Sequence, residues 1–482
     1  MVLEEVVNVD EEQRRSRPPS GGPAPQRPAA PSGPAEAPRP PPSRRTAAAG
    51  GGGGGPRRPA PSRGPLRLVL AGLAVLVVVG LAWLVVFRGG AGRPPAPKLV
   101  PPSPPPAAAP AVRGVKSDEI LLGMAASFTG SNKERGRAMR TGWDAAIGAV
   151  NAAGGINGRK LRLLAVDDGY DPLRTGPAMR QLVEAEGVFA VVGNVGTATA
   201  AVSVPYCMEQ KVVFFGPLSG ADLLRKSPPD RYVFNYRASL GEEAAAAVRY
   251  LVDVKRVPPE KIAVLVQKDD FGESGWRGAV KQLAAAGVAP AGVLRLEYAR
   301  NTADVREALE LLKAHAAAVQ AVVLVATYKP AATFIRKARD AGHDLLFASV
   351  SADSNGLAQE LLESGARYTE GVVVTQVVPV PTSKATAVAR YRQQLEQFAP
   401  GEPPGSTTLE AWSGAQLLFE ALRRAGPELD GEKLVQALES LRDLDLGTGA
   451  VMGFGPLRHQ ACDKVWGWSL QPDGSYQQIN LE

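Results

Sequence analysis

VFAVVGNVGTATAAVSVPY, residues 188–206 of a 482-residue chain, is the stretch from which the fold is read. Residues 188–193 form a short, continuous apolar run, the mark of a strand covered on both faces. Gly193-Asn194-Val195-Gly196-Thr197-Ala198-Thr199 interrupts it with glycine and small hydroxyl residues, and from 199 to 209 the apolar spacing resumes as a helix. Strand, glycine loop and helix in that order make one β/α unit.

The same unit recurs on both sides. Apolar runs rich in Val and Leu predict strands over 120–126, 161–167, 188–193, 212–216, 232–237, 262–267, 293–298, 321–326, 345–350 and 372–378. Helical spacing fills the gaps, over 174–186, 199–209, 242–255, 275–286, 302–314, 331–341, 384–398 and 409–425. An earlier helix, with Ala138, Gly142, Ala145, Ala146, Ala149 and Val150 on one face, stops at Gly154-Gly155. About ten strands exceed what one open sheet holds comfortably, so the expected fold is α/β with two doubly wound parallel-sheet lobes.

Ligands of such folds sit at the carboxyl ends of the strands, where loops and helix N-termini converge. The loops there are Ser127-Phe128-Thr129-Gly130, the segment from Gly193 to Thr199 that holds Asn194 and Thr197, and Gly216-Pro217-Leu218-Ser219-Gly220. Small side chains let a ligand approach exposed backbone N–H groups, an environment that suits a carboxylate. The same hydroxyls also serve ordinary helix capping, and the residues alone leave both readings open.

Upstream of the β/α region, residues 68–87 read LVLAGLAVLVVVGLAWLVVF with no charged side chain. As a helix they span roughly 30 Å, the thickness of a bilayer's hydrocarbon core. The flanks are Pro-, Gly- and Arg-rich and bury too little apolar surface to pack around such a helix. The expectation is a disordered cytoplasmic tail over 1–67, a transmembrane helix over 68–87, a Pro/Ala-rich linker over 88–113 and a bilobed domain over 114–482. Eleven arginines precede the helix, while Arg88, Arg93, Lys98 and Arg113 follow it, which favours an inside N-terminus. The apolar core is too long and too far into the chain for a cleaved signal peptide, and no cysteine follows it for lipid attachment.

The net charge of +7 resolves by region. Residues 1–113 hold 15 Lys and Arg against 6 Asp and Glu, which leaves 40 against 42 beyond. The folded part is therefore nearly neutral, and a nucleic-acid surface is not expected. Cys207 and Cys462, the only cysteines, are read as buried thiols rather than a disulfide. The three histidines sit in no metal-ligand spacing, and neither a nucleophile elbow nor a phosphate-binding glycine loop occurs, so an enzyme is not expected.

At the loops the sequence resembles the branched-chain amino-acid (Leu/Ile/Val) type of periplasmic substrate-binding protein of ABC transporters. The carrying segments are NAAGGINGRKLRLLAVDDGYDP (151–172), the opening stretch, YVFNYR (232–237), KIAVLVQKDDFGESGWRGAVKQL (261–283) and EGVVVTQVVP (370–379). The resemblance implies a type I bilobed fold whose lobes close on a small solute, with no cofactor. It places Thr197 on the ligand's carboxylate, assisted by Leu218, Ser219 and Gly220, with Phe271 and Tyr328 as aromatics from the second lobe. Where amino-acid binders carry an acid for the ligand ammonium, this chain reads Ser351-Ala352-Asp353; Asp353 serves if the loop shifts by two residues, and otherwise Ser351 faces the ligand.

The resemblance also implies three crossings between lobes, near 238–240, 376–381 and 447–453. Lobe one is then about 115–238 with 378–448, and lobe two about 239–377 with 449–482. Its implied partners are a small solute, an amino acid, amide or related carboxylate, and an ABC permease. A ligand-sensing receptor or a protein-interaction domain on the same fold is the alternative reading.

Overall fold

Continuous Val- and Leu-rich runs bury both faces of a strand, and here they form the inner strands of two parallel sheets. The computed structural model describes residues 112–130, 132–351 and 354–482. The expected tail, the membrane segment 68–87 and nearly all of the linker lie outside the described residues, as does Asp353. Among the described residues no helix is long and apolar enough to cross a membrane.

The first lobe is built from β1 (Glu119–Ala126), α1 (Lys133–Ala152), β2 (Lys160–Asp167), α2 (Pro172–Arg180), β3 (Ala190–Val192), α3 (Thr197–Gln210), β4 (Val213–Phe215) and β5 (Val233–Phe234). Its five strands run parallel in the order β2-β1-β3-β4-β5. The second lobe follows with α4 (Leu240–Arg249), β6 (Ile262–Gln267), α5 (Asp270–Ala285), β7 (Arg295–Tyr298), α6 (Arg306–Ala314), β8 (Ala321–Val325), α7 (Tyr328–Asp340), β9 (Leu346–Ser349), α8 (Ser354–Leu362) and β10 (Val372–Gln376).

The chain then returns to the first lobe as α9 (Thr386–Phe398), α10 (Ser406–Ala425), α11 (Gly431–Glu439) and the ribbon β11 (Leu444–Asp445) and β12 (Val451–Met452). It ends in the second sheet as β13 (Trp466–Leu470) and β14 (Tyr476–Ile479). That sheet has the order β14-β13-β10-β9-β8-β6-β7, with β13 and β14 antiparallel to their neighbours.

Each sheet is covered on both faces. In the first lobe, α1, α10 and α11 close one face, and Trp143 of α1 meets Phe215 and Phe419 edge-on at 6.4 Å each. Helix α1 crosses α10 at Gly142, where an added Cβ would stand 2.3 Å from the Thr408 carbonyl oxygen. The opposite face is covered by α2 and α3 through Ala178, Met179, Val204 and Cys207. Cys207 and Cys462 are both buried and free.

Three passages join the lobes. The first is at 238–240, since Ala238 packs in the first lobe and Leu240 in the second. The second follows β10, as Val377 and Val378 already belong to the first lobe's core. The third, expected near 447–453, lies at 463–465. The segment before it stays beside β5, with the N–H groups of Ala461 and Cys462 donating to the Asn235 and Tyr236 carbonyls at 2.8 and 3.1 Å. These bonds keep 449–462 in the first lobe. Trp466 then pairs with Gln376 at the end of β10, so the three passages lie side by side.

Candidate functional site

The helix α3 begins at Thr197, two residues before the spacing suggests, because Gly196 takes φ 102° and turns the chain straight from loop to helix. Glycine supplies no side chain to cap the first-turn N–H groups, and no side-chain cap is made. A Cβ at Gly196 would lie 2.1 Å from the Tyr170 ring, so the close approach also requires glycine. Thr197 and Ser219 consequently face each other, their hydroxyls 2.7 Å apart and both buried.

This pair lines a cavity between the lobes. Leu218 and Gly220 join it from the loop after β4, Arg135 from the first turn of α1 and Tyr170 from the loop after β2. Phe271 and Ser351 come from the second lobe, and Arg237 from the first passage. Phe271 stands in the first turn of α5 because Asp269 caps that helix, accepting from the N–H groups of Phe271 and Gly272. The cavity measures about 10 Å³, room for about one water, so entry of a larger solute requires the lobes to part. Tyr170 already reaches across it, its hydroxyl accepting from Gln267 Nε2 of β6 at 3.3 Å. Burial, with Asp269 nearby, pushes the Tyr170 phenol up to about 12.

One side of the cavity is a buried ionic network. Arg237 donates to Glu243 Oε1 of α4 at 2.8 Å, pairs with Glu410 of α10 at 3.5 Å and donates to the Ser351 hydroxyl. Glu243 is saturated: it also accepts from the Ser351 N–H and hydroxyl, both at 2.9 Å, and from Thr375 Oγ1 at 3.0 Å. Burial opposes the charge on Arg237, yet Glu410 and Glu243 outweigh it and hold the guanidinium above its ordinary range. Glu410 is raised by burial, against the pull of Arg237.

Of the residues singled out in the sequence, Thr197, Leu218, Ser219, Gly220, Phe271 and Ser351 therefore meet at one place. Others do not line this cavity. Ser127 is buried and donates to the Asn132 carbonyl at 3.0 Å, closing the β1–α1 turn. Asn194 is buried and donates to the Ala125 carbonyl at 3.1 Å, tying β3 to β1. Thr129 is exposed and donates to Asp167 Oδ2 at 2.6 Å. Tyr328 is buried but borders a separate hollow with Asn301 and Thr302.

The sequence reading missed Arg135, Tyr170, Arg237, Glu243 and Glu410. A signal existed for Arg135, which lies four residues before Met139 and eight before Trp143, so an arginine occupies the buried stripe of its helix.

A sequence model described as "Periplasmic binding protein" matches residues 119–474. This chain belongs to that family. The domain is accordingly an extracytoplasmic solute-binding protein of the Leu/Ile/Val type, and it binds rather than transforms its ligand. An "Amino acid binding protein" of Pseudomonas aeruginosa is 26% identical over 327 residues, covering 67% of this chain and 83% of its own length. A "Leu/Ile/Val-binding protein homolog 3" of Brucella melitensis is 25% identical over 335 residues, covering 69% and 86%. The crystal structure of a possible leucine/isoleucine/valine-binding protein from Rhodopirellula baltica superposes with a TM-score of 0.72 at 35% identity, covering 76% of this chain and 97% of that one.

Proposed function

We propose that the interlobe cavity of this periplasmic binding protein takes a small solute by its carboxylate and that the domain delivers the solute to an ABC permease. The observation that carries the reading is the buried Thr197–Ser219 hydroxyl pair at the uncapped N-terminus of α3. Free first-turn N–H groups and the positive end of the helix dipole favour an anion there. A hydroxyl pair can turn both protons toward it. Phe271 and Leu218 supply apolar contact, and Ser351, at the end of the second lobe's strand β9, brings that lobe to the ligand. Relatives named as an amino acid binding protein and a Leu/Ile/Val-binding protein homolog support an amino-acid-like solute as the starting class.

The domain is tethered, in this reading, by an uncleaved helix over 68–87 with its N-terminus in the cytoplasm. Twenty uncharged residues and the arginine excess before them support it. Protease added to intact spheroplasts should digest the large domain; its protection would reverse the orientation.

The cavity assignment is tested by calorimetry on the full chain in mild detergent. Thr197→Val should weaken the bound carboxylate by about 1 to 3 kcal/mol, the cost of leaving polar groups unsatisfied. Affinity unchanged by the substitution would remove Thr197 from the site.

A further inference from the structure

Arg135 is only 6% exposed and borders the same cavity as Thr197 and Ser219. Its Nε is buried without a hydrogen-bond partner, and among the described residues its guanidinium makes no hydrogen bond or ion pair. Glu410 feels its charge but forms no contact with it, being engaged with Arg237. An unpaired buried guanidinium is costly, by several kcal/mol in general, and persists in a fold only where something else completes it.

The opposite need, an acceptor for a ligand ammonium, is not met by the described residues lining the cavity. None of them is acidic, and Glu243 behind them spends both carboxylate oxygens on Arg237, Ser351 and Thr375. Ser351, which opens the segment where the resemblance calls for the acid, has its hydroxyl taken up by Glu243 and Arg237, while Asp353 of that segment lies outside the described residues.

We infer that the ligand is a small dicarboxylate without an ammonium group, one carboxylate on Thr197, Ser219 and the α3 N-terminus and the second on Arg135. This rests on the proposed cavity reading and narrows it. A planar guanidinium offers paired donors that match a carboxylate's two oxygens, so the second carboxylate both neutralises Arg135 and fixes the ligand's orientation. An amino acid would bring its ammonium toward two arginines instead.

The test is calorimetry of the full chain in mild detergent against succinate and glutarate, the matched monocarboxylates butyrate and valerate, and the zwitterions leucine and valine. A dicarboxylate should bind more tightly than its monocarboxylate partner and than either zwitterion. Arg135→Gln should lower dicarboxylate affinity on the order of 100-fold, as expected for one partner of a buried charge pair, and abolish the preference over the monocarboxylate. Thr197→Val should weaken both acids. The ligand-free Arg135→Gln protein should also melt at a higher temperature than wild type, since an uncompensated charge has been removed; an arginine serving only structure would give the reverse.

If a zwitterion binds tightest and Thr197→Val weakens it, the cavity assignment stands and the dicarboxylate inference falls. The inference also falls if Arg135→Gln leaves dicarboxylate affinity within about twofold. If Thr197→Val leaves every bound acid unaffected, the cavity reading and the inference fall together.

Discussion

Replacing Arg237 by Met gives a test of what holds the two lobes together at the cavity. The guanidinium is 2% exposed, and its partners Glu243 and Glu410 are 0% and 5% exposed. Arg237→Met removes the cation and leaves the two carboxylates unequally placed. Glu243 keeps donors from the Ser351 N–H, the Ser351 hydroxyl and Thr375. Glu410 keeps no bonding partner among the described residues, since its contact is with Arg237 alone. Orphaning a buried charge of this kind costs about 3 to 5 kcal/mol. Guanidinium chloride unfolding of the full chain, followed by tryptophan fluorescence, should show that loss.

Adding Glu410→Gln removes the orphan and should recover about half of the loss or more, while Glu243 remains satisfied. The pH dependence has a definite sign. Without Arg237 the Glu410 carboxyl, already raised by burial, rises further above its unfolded value. The folded state then holds a proton that the unfolded state has released, so the single variant is most stable in acid and loses stability as pH rises through the raised value. A loss under about 1 kcal/mol for Arg237→Met, or a further loss on adding Glu410→Gln, would refute the account of the network as a paired cation.

Two other substitutions probe the frame around the cavity. Asp168 is fully buried, accepting from the Tyr170 N–H at 3.0 Å and from Thr175 Oγ1 at 3.3 Å, and burial pushes its carboxyl up to about 6. The folded value exceeds the ordinary 3.8, so this group costs the protein stability as pH rises from about 4 to about 6. Asp168→Asn should therefore raise stability by up to about 3 kcal/mol at pH 8 and by little at pH 4, read from melting curves at the two values. Gly196→Ala places a methyl group against the Tyr170 ring at a φ of 102°; solute binding in calorimetry should be lost while the second lobe's fold, checked by circular dichroism, persists.

Strands covered on both faces were the most legible part of the sequence. The run 262–267 is β6 to the residue, and 120–126 falls one residue short of β1, because a continuous apolar run leaves little choice of boundary; 161–167 also falls one residue short of β2, a mostly half-buried edge strand. Helix starts were less legible. Thr197 and Phe271 lie inside α3 and α5 because Gly196 and Asp269 act locally at the turn, and apolar spacing does not register either effect. Helices α8 and α11 and the ribbon of β11 and β12 were not anticipated, each being short.

In the cavity, neutral hydroxyls next to glycines were recognisable from loop chemistry. The charged members were not, since Arg237, Glu243 and Glu410 come from three separate elements and acquire meaning only when folding brings them together. Asn194 and Ser127 share the composition of ligand-binding loops but spend their side chains on backbone carbonyls, a distinction visible only in three dimensions.

The three side-by-side passages between the lobes determine what kind of movement is inexpensive. On the first-lobe side the ends of passages one and three are held together by the bonds of Asn235 and Tyr236 to residues 459–462, and on the second-lobe side those of passages two and three by the pairing of Gln376 with Trp466. Sliding one lobe past the other, or twisting it about the long axis, would demand large torsion changes in all three passages at once, since their ends are held in register on both sides of the crossing. Rotation about the line through the three passages strains each by only small changes in backbone torsion. The protein is thereby reduced to nearly one mechanical degree of freedom, like a book bound along its spine. The work a solute does on entering can then be read out as a single angle.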